Sequence, residues 1–175
     1  QGAAVRAAAR TFREAHEAAI AREFAELLAI PNVASDSVNI RRNPAALIEM
    51  LSPRGVTART PEAAGPPAVY GELRTPGTVR TIVFYAHYDG QPVDTSQWTG
   101  SPWMPVLRDG ALHTGGQVIP IPATGQRMSG EARIYARSAS DDKGAIIAML
   151  AALDALRAAN IAPSVNLKFF FEGEE

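Results

Sequence analysis

The run SASDDKGA, residues 138–145, sets two consecutive carboxylates, a lysine and a glycine between a β-branched, aromatic run and an alanine-rich apolar segment. Two further clusters have the same chemical character: His87-Tyr88-Asp89 directly after TIVFYA, and Glu172, Glu174 and Glu175 directly after VNLKFFF. Each lies just beyond an expected β-strand, and in open α/β sheets the loops at the carboxyl ends of strands gather on one edge and form the ligand site. If the chain stays extended, Asp89 at i+2 shares a face with His87. There its carboxylate can bond one ring nitrogen, fixing the tautomer that leaves the other free for a metal. Two adjacent carboxylates exceed the needs of a helix cap, although one of Asp141 and Asp142 is expected to serve as a cap. A carboxylate can also bridge two divalent cations about 3.5–4 Å apart. Of the glutamates, one suits a metal ligand and its neighbour a general base on water whose pKa the metal lowers. Lys143 is expected to be solvated. Gly144, at a helix start, costs about 1 kcal/mol relative to alanine and points to close backbone approach. His16 and His113 draw no comparable support, and Trp98 and Trp103 are expected to anchor a loop.

The elements that must position these groups follow from periodicity. Residues 5–28 carry Phe12, Ala15, Ala19, Ile20, Phe24, Leu27 and Leu28 at helical spacing, and Ile30-Pro31 ends that helix. Asn43-Pro44 resembles an N-cap with proline at the first helical position, opening a helix to about residue 51. Strands are expected at 56–60, 68–74 and 79–86. TVRTIVFYA is apolar enough for a central strand buried on both faces. Residues 91–130 are dense in proline and glycine, with an inserted loop at 114–130. A strand from about residue 133, a helix over 142–159 and a strand over 165–171 complete the chain. Strand, helix and strand in that order imply an α/β sheet with at least one parallel pair.

The 175 residues are 46% hydrophobic, with 17 Lys plus Arg against 18 Asp plus Glu and no cysteine. That composition supports a real core. It offers no basic block for nucleic acid, no run of about 20 apolar residues for a membrane, and no thiolate for a metal. A small molecule is the expected partner. The start at Gln1 implies removal of a preceding signal peptide, tag or upstream segment, and favours a periplasmic or secreted protein over a cytoplasmic one.

FYAHYDGQPVD, then W-x-x-x-P-W-x-P, then DG, ARSASDDKGA and FFFEGEE resembles the catalytic domain of zinc metallopeptidase family M-twenty. That family contains carnosinases, carboxypeptidase G, aminoacylase and succinyl-diaminopimelate desuccinylase. The resemblance covers roughly residues 32–175, and the ordered series of motifs is far more specific than any one of them. It implies an α/β fold with a mixed, largely parallel central sheet flanked by helices. Residues 1–175 would be the N-terminal portion of a single, incomplete catalytic domain, without the lid and dimerisation domain. It further implies a dinuclear zinc site, with cobalt or manganese as alternates, that hydrolyses amide bonds of a small peptide or N-acyl amino acid beside a free carboxylate, through a bridging water. His87 matches the histidine ligand, Asp89 its orienting partner and Asp141 the bridging carboxylate, while Asp142 matches a variable position. The pattern E-G-x-E-E puts the general base at Glu175; an alternative register has Glu174 as base and Glu175 as ligand.

The chain departs from the pattern at Ala136 and Ser138, where the family has glycines around Arg137, and at the insertion 114–130. The family's further acidic ligand, distal histidine and homodimer-forming domain would follow Glu175. The expectation is therefore divided: the parent protein is a metallohydrolase, and the isolated chain binds zinc poorly and is inactive. The competing expectation is a non-catalytic relative or binding scaffold that keeps the fold. Magnesium-dependent phosphoryl chemistry ranks lower, because no phosphate-cradling glycine loop accompanies the carboxylates.

Overall fold

The computed structural model describes residues 2–62 and 64–175. Helix α1 (Gly2–Leu28) carries neither glycine nor proline after its first residue. Its inward face is Ala18, Ala21, Leu27 and Leu28, with Ile20 and Phe24 packed beside them. Ala15 and Ala19, expected in that stripe, are exposed. Alanine fits either side of a helix, so its spacing alone does not fix the buried face.

Helix α2 spans Arg42–Leu51 and runs into a one-turn 3-10 helix, Ser52–Arg54, that Gly55 stops at φ 80°. Asn43 is not the N-cap. It lies within the first turn, fully buried, and its amide nitrogen reaches back to the carbonyls of Pro31, Asn39 and Ile40. The carbonyls it satisfies belong to the loop leaving α1.

The main sheet has four strands, β1 (Thr57–Arg59), β2 (Val69–Leu73), β3 (Thr81–His87) and β7 (Asn166–Glu172), in the order β1-β2-β7-β3. It is mixed, but only β3 and β7 are parallel; β1 with β2 and β2 with β7 are antiparallel. The parallel share is smaller than expected because β1 and β2 turn back on one another at one side. On one face, Ile82, Phe84 and Ala86 of β3 sit opposite Leu167, Phe169 and Phe171 of β7. Helix α3 (Lys143–Ala158) contributes Ile146, Leu150 and Leu153 to the same core.

Two expectations change. β3 is an edge strand, not a central one, and Ile82, Val83 and Tyr85 are 47%, 61% and 52% exposed. Apolar content reports what a strand can bury, not which neighbours it has. The strand near residue 133 also leaves the main sheet. β6 (Arg133–Tyr135) pairs with β4 (Val106–Arg108), which pairs with β5 (Val118–Ile119), in a separate three-stranded antiparallel sheet. The short strands β4 and β5 lie in the region expected to be irregular. Two- and three-residue strands leave almost no periodic signal. Among the described residues no helix is long and apolar enough to cross a membrane.

Candidate functional site

His87 is the last residue of β3, paired with Glu172 at the end of β7, so the carboxyl ends of the parallel strands open onto one edge. Tyr88 N–H donates to the Glu172 carbonyl at 2.7 Å and turns the chain away from the sheet. The Tyr88 ring is fully buried and its hydroxyl donates to the Pro67 carbonyl. Burial pushes that hydroxyl's pKa upward. A Cβ on Gly173 would fall 2.5 Å from the ring, so glycine is required where β7 ends.

The imidazole of His87 lies between two carboxylates. Nε2 is 3.1 Å from Asp141 Oδ1. Nδ1 is 3.3 Å from Asp89 Oδ1 but buried without a properly formed hydrogen bond. Burial alone would lower the histidine's pKa. Asp89, then Asp141, Asp142 and Glu175, outweigh it and hold the pKa above the ordinary value. A neutral imidazole carries one N–H, so in either tautomer one ring nitrogen presents a lone pair to a carboxylate oxygen. A cation on the ring, either a second proton or a metal ion, relieves that juxtaposition.

The donor set fits a divalent ion: an imidazole nitrogen and a carboxylate oxygen face one another, and a second carboxylate backs the ring, a common arrangement for zinc. The Asp141 carboxylate is 74% exposed and has room for further ligands. Among the described residues, no group of three or more His, Asp or Glu is arranged to hold a metal. His87 and Asp141 offer two donors, where a catalytic zinc takes about three protein ligands.

The acidic end of β7 divides three ways. Glu172 accepts from the Tyr85 hydroxyl, whose pKa that bond and burial push up to about 12. Glu174 turns its carboxylate towards Gly65, where a Cβ would come within 2.8 Å of Oε2. Glu175 N–H is 3.4 Å from both Asp89 oxygens, and its charge acts on His87. The structure thus gathers His87, Asp89, Asp141 and Glu175, and leaves Glu174 on another course.

Asp142 stands at the N-cap of α3, yet its side chain makes no cap bond. Lys143 overturns the expectation of a solvated residue. It is completely buried, with Nζ donating to the carbonyls of Leu27 at 2.8 Å and Ile30 at 2.9 Å, and burial pushes its pKa down to about 7. It clamps the end of α1 to the start of α3. Gly144 conforms to expectation, because a Cβ there would lie 2.7 Å from the Ala139 carbonyl oxygen. His16 is exposed and stacked on Phe12. The tryptophans do anchor the loop: Trp98 lies under the Arg137 guanidinium at 5.5 Å, and Trp103 donates to Asn32. Asn32 itself, fully buried beside the site, went unnoticed because a single polar residue after proline gives no periodic or motif signal.

The model of the family described as Peptidase family M20/M25/M40 matches residues 83–175, slightly more than half of the chain. The Beta-Ala-His dipeptidase of Homo sapiens is 32% identical over 111 residues, which cover 63% of this chain and 18% of that protein. Among solved structures, an M20-family metallo-carboxypeptidase from Sulfolobus solfataricus superposes with a TM-score of 0.67 at 30% identity, over 89% of this chain and 31% of that one. The dipeptidase Dug1p from Saccharomyces cerevisiae superposes with a TM-score of 0.73 at 19% identity, over 97% of this chain and 34% of that one, and shows the shared fold. The chain therefore spans about a fifth of the curated relative and about a third of these structures.

Proposed function

We propose, from the premise that this chain belongs to peptidase family M20/M25/M40, that the protein is a metal-dependent hydrolase of amide bonds in small peptides or N-acyl amino acids with a free carboxylate. The carrying observation is the His87 imidazole held between Asp141 and Asp89 at the carboxyl ends of β3 and β7. His87 would hold the ion through Nε2 and Asp141 through its carboxylate. Asp89, 3.3 Å from Nδ1, would favour a proton there once the ion is bound, leaving the Nε2 lone pair for the metal. The exposed Asp141 carboxylate also suits the bridging of two ions. Zinc bound there, or cobalt or manganese in its place, supplies Lewis acidity towards a carbonyl and towards water.

Glu175 is the better general base of the two candidates. Its backbone is tied to Asp89, and its charge reaches His87, whereas the Glu174 carboxylate lies at Gly65. As base it takes a proton from the attacking water and returns it to the departing amine. The substrate class follows what the relatives' names denote, a dipeptidase and a carboxypeptidase.

The test is metal content and peptide turnover of the intact protein. Asp141→Ala is expected to lose metal. Glu175→Gln is expected to keep metal and lose turnover by roughly 10²–10⁴-fold. Loss of turnover with Glu174→Gln but not with Glu175→Gln would move the base by one position. Unchanged metal content in Asp141→Ala would leave the scaffold reading.

A further inference from the structure

Asn32 follows the first proline after α1, and its fully buried side chain meets three other segments. Its amide nitrogen donates to the Tyr88 carbonyl at 2.6 Å and to Ser138 Oγ at 2.8 Å; its amide oxygen accepts from Trp103 Nε1 at 3.4 Å. The orientation is unambiguous, since a carbonyl can only accept and an indole N–H can only donate. The backbone joins in. Gly90 N–H donates to the Asn32 carbonyl at 2.9 Å, and Val33 forms a parallel bridge with Gly90.

Tyr88 is one residue beyond His87, and Ser138 is three residues before Asp141, so one amide group bonds both loops that carry the candidate ligands. The loops also touch directly. A Cβ on Gly90 would lie 2.4 Å from Ser138 Oγ and 3.1 Å from Arg137 Cδ. Ser138 has φ 63°, a left-handed conformation that disfavours a residue with a Cβ. It stands where the family resemblance expects glycine. Its hydroxyl accepts from Asn32, so a serine in an unfavourable conformation has a specific buried partner.

We infer that Asn32 and Ser138 are a coupled pair of positioning residues that hold the Asp141 loop in register with His87 and so set the spacing on which metal binding depends. The inference rests on the metal-site reading above. Neither residue touches the ion or the substrate; both act through the loops.

The experiment measures zinc affinity by chelator competition in the intact protein and its variants Asn32→Ala, Ser138→Ala, Ser138→Gly and the Asn32→Ala/Ser138→Ala double. Each single variant is expected to lose roughly tenfold in zinc affinity, the lower end for residues that support ligands from outside the coordination shell. The double is expected to lose no more than Asn32→Ala alone, since that change already removes the bond to Ser138, the signature of one shared interaction. In metal-free protein, Gly90 amide exchange should quicken in Asn32→Ala, and in the loaded protein kcat should fall with KM unchanged. Ser138→Ala removes one hydroxyl and keeps the test alive if Asn32→Ala fails to fold. Folded variants within about twofold of the parent affinity, or single losses that multiply in the double, overturn the inference. If Asp141→Ala loses zinc while Asn32→Ala and Ser138→Ala keep it, this inference alone fails. If Asp141→Ala keeps zinc, the metal-site reading fails and this one with it.

Discussion

Gly173 and Tyr88 show how tightly single residues define this site. The Tyr88 ring is fully buried and tethered through its hydroxyl to Pro67, and Gly173 leaves the room it occupies. Gly173→Ala is expected to destabilise the protein by about 1–3 kcal/mol, the usual range for overpacking, and to disturb the neighbouring Asp89. Denaturant unfolding measures the first, and metal affinity the second. Gly100→Ala is the control: nothing lies within 4 Å of a Cβ there, so stability is expected to stay within about 0.5 kcal/mol. At this scale the sequence was most informative about residue types. That His87, Asp89, Asp141 and Glu175 come together was legible, because each lies at or just beyond the end of an expected strand; their roles in metal binding and catalysis belong to the proposal above. Lys143 and Asn32 were not, since their importance lies in carbonyls distant in sequence, at Leu27, Ile30 and Tyr88.

Arg54 ties the segment after α2 to both α1 and α3. Its five N–H groups all find acceptors: two oxygens of Glu23 on α1, Asp154 on α3 twice, and the Met50 carbonyl. Arg54→Met is expected to lower stability by roughly 2–4 kcal/mol, somewhat below the range for a fully buried pair, because the side chains of Glu23 and Asp154 are 30% exposed. Chemical denaturation at two salt concentrations checks it, with little salt dependence expected for the buried guanidinium. The insertion is attached differently. Glu17 of α1 accepts from Met128 N–H at 3.0 Å and from Arg127, while Arg22 donates to the Pro122 carbonyl and to Thr124. The Met128 amide bond, offset in part by burial and aided by Arg127 and Arg13, holds Glu17 below its ordinary pKa of 4.5. Its contribution is therefore present above that value and lost as pH falls through the lower folded pKa. Amide exchange at Met128, corrected for intrinsic rate, should lose protection on acidification, and should be insensitive to pH in Glu17→Gln. The helices of this framework were legible from period and proline. The β4-β5-β6 sheet was not, because its pairings join strands of two or three residues across a long loop.

Across the whole molecule the conspicuous feature is the free side of β3. Val83 and Tyr85, together with Phe170 on β7, leave an apolar surface beside a strand edge that is unpaired among the described residues, a combination prone to edge-to-edge association. This chain is expected to scatter light increasingly with concentration, and Val83→Lys, on the face away from the core, should reduce that scattering while leaving His87 and Asp141 in place. The apolar run in β3 identified a strand correctly and its place in the sheet wrongly, because hydrophobicity measures burial capacity and says nothing of what the fold sets alongside. Gly90 and Ser138 lie against one another, so residues 91–136 form a closed excursion that leaves and returns at the same point. A cut within 114–130 would give two fragments, one bearing His87 and Asp89, the other Asp141 and Glu175. Neither holds both sides of the histidine–aspartate pair, so recovery of that pair would report their reunion, making the fold a ready-made complementation system.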